Sequence, residues 1–205
     1  MKKIFSLLLL MIFVFTSLIA QTDTLSFNIN ESRNKNIRHQ LDYRFKGGSG
    51  SFERVFFANV EYTKEALSAC VVGTVILSFT VDCNNNLGDF RMRNPMHYGL
   101  NEKLQEFYKA TEGQWNSCTD EKYARFEIPI LFTVEGTQTE ASGFIVLEGK
   151  ASGIKCKSDA YYLEAYEKHK SKGKTKRALD ALDVLIRRDP YNLHYYDLKK
   201  ELLTE

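Results

Sequence analysis

The stretch from Val71 to Asp82 limits the fold more than any other. It reads V-V-G-T-V-I-L-S-F-T-V-D. In an extended chain Val75, Leu77, Phe79 and Val81 share one face. Thr74, Ser78 and Thr80 share the other, with Ile76 the apolar exception. A period of two predicts a strand with one buried face. Cys83-Asn84-Asn85-Asn86 supplies a tight turn, because asparagine tolerates positive φ. Leu87–Arg93 then reads as the returning arm of a hairpin, and Asn94-Pro95 ends it. Leu100, Leu104, Phe107, Tyr108 and Trp115 follow at helical spacing. A tryptophan on such a stripe reads as core rather than as a ligand-stacking residue.

The flanking segments extend this pattern. Phe52, Val55, Phe56 and Val60 predict a helix capped by Ser51, and Thr63 to Ala69 a second, short one. Thr22 to Leu41 is polar and reads as a loose lead-in, with a short strand at Leu25-Ser26-Phe27. Beyond Trp115, Tyr123 to Glu135 alternates again, with Phe126, Ile128, Ile130, Phe132 and Val134 on one face. Pro129 has no amide proton, so it belongs at a sheet edge or a bulge. Phe144 to Glu148 predicts one more strand, antiparallel to the last. From Ser158 the pattern turns helical: one helix through Tyr162, Ala165, Tyr166 and His169, a break at Lys172-Gly173-Lys174, a second from Thr175, and a third from Leu193 to Leu203.

The order hairpin, helix, tryptophan, strand resembles the C-terminal domain of TonB, in the form abundant in Bacteroidetes. Phe45-Lys46-Gly47-Gly48 matches the F-x-G-G that opens many such domains, and Val60 to Ala66 is similar to their Tyr-Pro-x-x-Ala helix start. The resemblance covers Phe45 to Gly136. Thr63 stands where the family has proline, Asn86 where it has a turn glycine, and Asn116-Ser117 where proline follows the tryptophan. The resemblance implies an α+β fold, an antiparallel sheet packed by helices, followed here by a small all-α tail. It also implies that an extended peptide adds to a sheet edge. The docking strand would be Arg125 to Val134, with Arg125, Glu127, Pro129, Leu131 and Thr133 as binding residues unless Phe144–Glu148 covers that edge. In the tail, Ala178, Leu182 and Pro190 resemble a tetratricopeptide repeat, with Tyr166 in place of the usual glycine. One repeat cannot bury its own face, so the tail is expected to dock on the sheet domain or on a partner. The expected domains are 1–20, a signal peptide; 21–44, a polar lead-in; 45–156, the TonB-like domain with an added strand; and 157–205, the tail.

Met1-Lys2-Lys3 followed by an uncharged run from Ile4 to Ala20 reads as a secretory signal peptide. The expected location is therefore periplasmic or secreted. The alternative is an uncleaved inner-membrane anchor and a TonB-type energy transducer for outer-membrane transport. Against that stand an apolar run without histidine, no proline-rich spacer, and a linker that reaches only about 70 Å at ~3.3–3.6 Å per residue. The formal charge is +2. Once Lys2 and Lys3 leave with the leader, basic and acidic residues balance, which argues against a nucleic-acid or anionic-membrane partner. The expected partner is a protein or extended peptide of the envelope, such as an outer-membrane receptor, with a membrane contact only if the leader is retained.

Behind an export signal, Cys70, Cys83, Cys118 and Cys156 read as disulfides rather than metal ligands. Three connectivities are open. Cys70 and Cys83 bracket one strand and cannot pair. Cys118 follows a helix returning toward the Cys83 turn, which favours Cys83–Cys118, with Cys156 a competing partner for Cys118. His39, His97, His169 and His194 are scattered without metal-ligand spacing, and no nucleophile elbow, P-loop or dinucleotide motif is present. The reading is a non-catalytic interaction module with no cofactor. An envelope enzyme with a site between sheet and tail would need converging polar side chains, which the sequence does not offer.

Overall fold

The computed structural model describes residues 29–119, 124–150 and 153–204. The chain divides into a unit of Met1–Asn36 and a compact unit of Ile37–Glu205. The signal peptide expected over 1–20 and the short strand expected at 25–27 lie outside the described residues. Helical backbone runs over 29–44, named α1, of which Ile37 onward belongs to the second unit. The loose lead-in expected as far as Leu41 is therefore corrected to helix there. Ile37, Leu41 and Phe45 recur every four residues and are all buried. Polar neighbours dilute this stripe, but its spacing is helical.

Phe45-Lys46-Gly47-Gly48 turns α1 into α2 (Gly48–Asn59). Both glycines are left-handed, with φ of 79° and 72°, and a Cβ on Gly48 would stand 2.9 Å from Asp42 Oδ1. Asp42 needs that space because its carboxylate accepts from Ser49 N at 2.8 Å and from Ser49 Oγ at 2.6 Å. One free first-turn amide of α2 is thereby satisfied from α1. Ser51, the expected cap, lies inside the helix instead. Thr63 does cap α3 (Lys64–Ser68), its Oγ1 accepting from Ala66 N.

The hairpin forms as β1 (Gly73–Val81) and β2 (Leu87–Arg93), paired antiparallel. α4 (Leu100–Ala110) follows, then β3 (Arg125–Val134) and β4 (Ile145–Gly149). The sheet order is β2-β1-β3-β4. β3 runs antiparallel to β1, pairing Ile76 with Pro129 and Ser78 with Glu127. β4 runs parallel to β3, pairing Ile130 with Ile145 and Val134 with Gly149. The expected antiparallel β4 is thus corrected, and the sheet is mixed. The polar stretch Gly136 to Gly143, which reads as a turn, instead carries the chain back along the sheet.

One face of the sheet holds the main core. Val75, Leu77, Phe79 and Val81 join Phe126, Ile128, Ile130 and Phe132 there. Against them pack Leu41 of α1, Phe52 and Phe56 of α2, and Leu104 and Phe107 of α4. The rings meet edge to face, as in Phe52–Phe107 with centroids 5.2 Å apart, the arrangement ring quadrupoles prefer. Trp115 is core as expected, but it lies beyond the end of α4. It bridges to Phe45, so the turn motif and the tryptophan meet directly.

The opposite face, expected to be solvated, is largely covered. Thr74, Ile76 and Ser78 are buried as well. The cover over Thr74 comes from the tail and the crossover. α5 (Asp159–Lys170), α6 (Thr175–Arg188) and α7 (Leu193–Thr204) share a core of Tyr166, Ala178, Leu182, Leu185 and Leu202. The end of α6 sits on β1 so closely that a Cβ on Gly73 would lie 2.5 Å from the Arg187 carbonyl oxygen. Asn94 Nδ2 donates to both Thr74 O at 2.7 Å and Arg187 O at 2.6 Å. The tail docks on the sheet, and the chain is α+β with a four-stranded mixed sheet and, among the described residues, seven helices.

Candidate functional site

All five residues of the expected docking strand lie on β3, but among the described residues β3 is a free edge over only part of its length. Val81 N donates to Ala124 O, so even-numbered residues of β3 turn their main-chain groups toward β1. Odd-numbered residues turn theirs to the other side, where β4 pairs from Ile130 to Val134. Leu131 and Thr133 therefore belong to the β3–β4 ladder. Arg125 and Glu127 lie ahead of β4, with exposed side chains. Pro129 marks the boundary. Its carbonyl accepts from Phe144 N at 2.8 Å, so its nitrogen points to the same side, where no ladder bond is lost.

Arg125 and Glu127 also join a charged row on the face opposite the main core. Arg125 pairs with Asp89 at 3.3 Å, and Glu127 with Arg93 at 2.8 Å. These exposed pairs contribute at most about 1 kcal/mol each. Their effect is to make this end of the sheet polar. At the far side of the sheet β2 is an edge strand. Its register slips between Ser78 and Thr80, and Asp89 has φ 51°. An irregularity with charges along it is how an edge is kept from pairing, so β2 is the poorer docking strand.

Two disulfides hold the loops, Cys83–Cys118 and Cys70–Cys156. The favoured pairing forms, and Cys156 takes Cys70 rather than Cys118. Arg44 secures the Cys83–Cys118 end. It is fully buried and donates to Asp82 O at 2.9 Å, Asn116 O at 3.1 Å and Val81 O at 3.3 Å. Burial lowers its pKa, yet a guanidinium remains charged in a protein.

The Cys70–Cys156 end borders a cleft of about 310 Å³. Its walls come from the Cys70–Val72 segment, the turn from Asn94 to Tyr98, Tyr162 of α5, and Val184, Arg187 and Arg188 of α6. Tyr62 donates its hydroxyl to Val71 O behind this wall, and burial pushes its phenol well up. Arg188 is already committed, pairing with Asp159 at 2.7 Å and lying 4.8 Å from the Tyr162 ring centroid. Sequence reasoning missed this cleft. Asn94-Pro95 read as a strand breaker, and nothing in the sequence singled out Arg187. No local pattern signals that segments so far apart in sequence meet.

Among the described residues no cluster of three His, Cys, Asp or Glu side chains is placed to hold a metal ion. No helix among them is long and apolar enough to cross a membrane. No protein-family model, curated protein or solved structure matches the chain.

Proposed function

We propose that this chain is an exported, non-catalytic interaction module of the cell envelope, of the TonB C-terminal-domain type, that binds an extended segment of a protein partner. The observation that carries this reading is the half of β3 that no described strand other than β1 pairs with. Arg125 and Glu127 turn their main-chain groups away from β1, at a point β4 does not reach. Strand addition there supplies affinity through main-chain hydrogen bonds and selectivity through alternate side chains. Two disulfides suit an oxidising compartment. Phe45 and Trp115, which belong to two of the motifs that carry the family resemblance, meet directly. Because β4 occupies the second half of the strand, the docked segment is short, and binding is expected to be weaker than at a fully open edge.

The test is amide hydrogen exchange on the labelled, disulfide-intact protein, alone and with peptides from the periplasm-facing segments of outer-membrane receptors. Alone, the Arg125 and Glu127 amides should exchange fast while Phe126 and Ile128 are protected by β1. A bound peptide should slow Arg125 and Glu127 selectively. Peptides that bind while leaving these two amides fast would remove the basis of the proposal.

A further inference from the structure

We propose that the cleft beside Cys70–Cys156 binds an organic carboxylate carried on a small apolar body. This site is distinct from the β3 edge. Its size, about 310 Å³, lies at the lower end for small-molecule sites, enough for one amino-acid-sized group. Val71, Pro95 and Val184 supply apolar wall, and His97 and Arg187 stand at it. Among the described residues no aspartate or glutamate lines it. Arg188 is neutralised by Asp159. Arg187 is exposed and pairs with no carboxylate among the described residues. The C-terminal end of α6 brings partial negative charge, but its Arg187 carbonyl is taken by Asn94 Nδ2 at 2.6 Å. The full charge on the Arg187 guanidinium therefore sets the preference of the cleft. A planar fork of that kind matches a carboxylate.

The walls are also held in place. Among the described residues five non-glycine positions have positive φ, and three of them line this cleft: Cys70 at 51°, Asn94 at 56° and Tyr98 at 62°. Each is pinned by another element. Cys70 is bonded to Cys156. Asn94 is held through Thr74 and Arg187. Tyr98 O accepts from Thr63 Oγ1 at 2.7 Å. Backbone held in such conformations by its surroundings clusters at ligand sites, and a wall already ordered loses little entropy on binding.

The test uses the full mature protein, disulfides intact, with N-acetyl-leucine, N-acetyl-leucinamide and an N-acetylated pentapeptide ending in leucine, read by chemical-shift titration. The acid should saturate with shifts at Val71, His97 and Val184, and the amide should bind about tenfold more weakly or worse. Arg187→Glu should weaken the acid by a similar factor and leave the amide unchanged. Val184→Phe, which fills the cleft without touching charge, should weaken both. A peptide that outbinds the free acid identifies a polypeptide C-terminus as the source of the carboxylate. Equal or tighter binding of the free acid identifies a small metabolite. Acid and amide binding alike, an unaffected Arg187→Glu variant, or no saturable shift at these residues would each overturn the proposal.

Discussion

Arg188 Nη1 lies 2.7 Å from Asp159 Oδ1, and both side chains are almost wholly removed from solvent, 3% and 10% exposed. The pair joins the end of α6 to the start of α5. The second carboxylate oxygen of Asp159 reaches further, accepting from Thr139 Oγ1 at 2.8 Å and from Glu140 N at 2.9 Å. One carboxylate thus ties the helical tail to the crossover leading into β4. Asp159→Ala leaves Arg188 buried without its counter-charge and the crossover without its acceptor. The expected cost is about 3–5 kcal/mol, read as a lowered urea midpoint. Replacing both partners, Asp159→Leu with Arg188→Met, should cost clearly less than Asp159→Ala alone, because no buried charge is left over.

Arg44 predicts a local effect at the other disulfide. Its guanidinium serves three carbonyls around the Cys83–Cys118 turn. Arg44→Leu leaves these acceptors short of donors, at about 1–3 kcal/mol for each one left buried. The Cys83–Cys118 bond should then be reduced faster by a small thiol, with the rate at Cys70–Cys156 little changed. Mass spectrometry after timed alkylation would separate the two.

The disulfides should differ in worth. Cys70–Cys156 closes a loop with a sequence separation of 86, and Cys83–Cys118 one of 35. On the chain-entropy account these correspond to about 4.6 and about 3.8 kcal/mol. Paired serine substitutions at residues 70 and 156 should therefore lower the thermal midpoint more than those at 83 and 118. The order matters more than the values, since loss of the longer bridge also frees the wall of the cleft.

The junction of α1 and α2 should be acid-sensitive. Hydrogen bonds from the Ser49 side chain and amide hold the Asp42 carboxyl below its usual range. A depressed folded pKa stabilises above the unfolded value of about 3.9 and loses that contribution as pH falls through the folded one. Between roughly pH 5 and pH 2 the parent protein should lose more stability than Asp42→Asn. Asp42 is mostly exposed, so the difference should be small. Urea midpoints across that range would measure it.

Much of this architecture is written in local patterns. The alternation in β1 and β3 and the Asn84–Asn86 turn predict two strands and a hairpin, and all three form. What stayed hidden depends on distant contacts. The helix over 37–44 escaped because Ile37, Leu41 and Phe45 are separated by residues of which Arg38, His39 and Asp42 face out, and Arg44, though buried, is of a type that reads as surface. The direction of β4 is not encoded in Phe144–Glu148, because an apolar run pairs equally well either way. The polar composition of Gly136 to Gly143 suggests a turn, whereas this link runs back along the sheet with Asp159 holding Thr139 and Glu140. Thr74 and Ser78 read as solvated, since nothing near them in sequence announces that other parts of the chain cover that face. The cleft draws its walls from four segments for the same reason.

The Cys70–Cys156 bridge has a mechanical consequence. If the module were pulled between its N-terminal helices and its C-terminal tail, the covalent path would run from residue 70 straight to residue 156. All four strands lie between those positions. Tension would cross the protein through sulfur, and the hydrogen-bonded sheet would stay unloaded until that bond was cut.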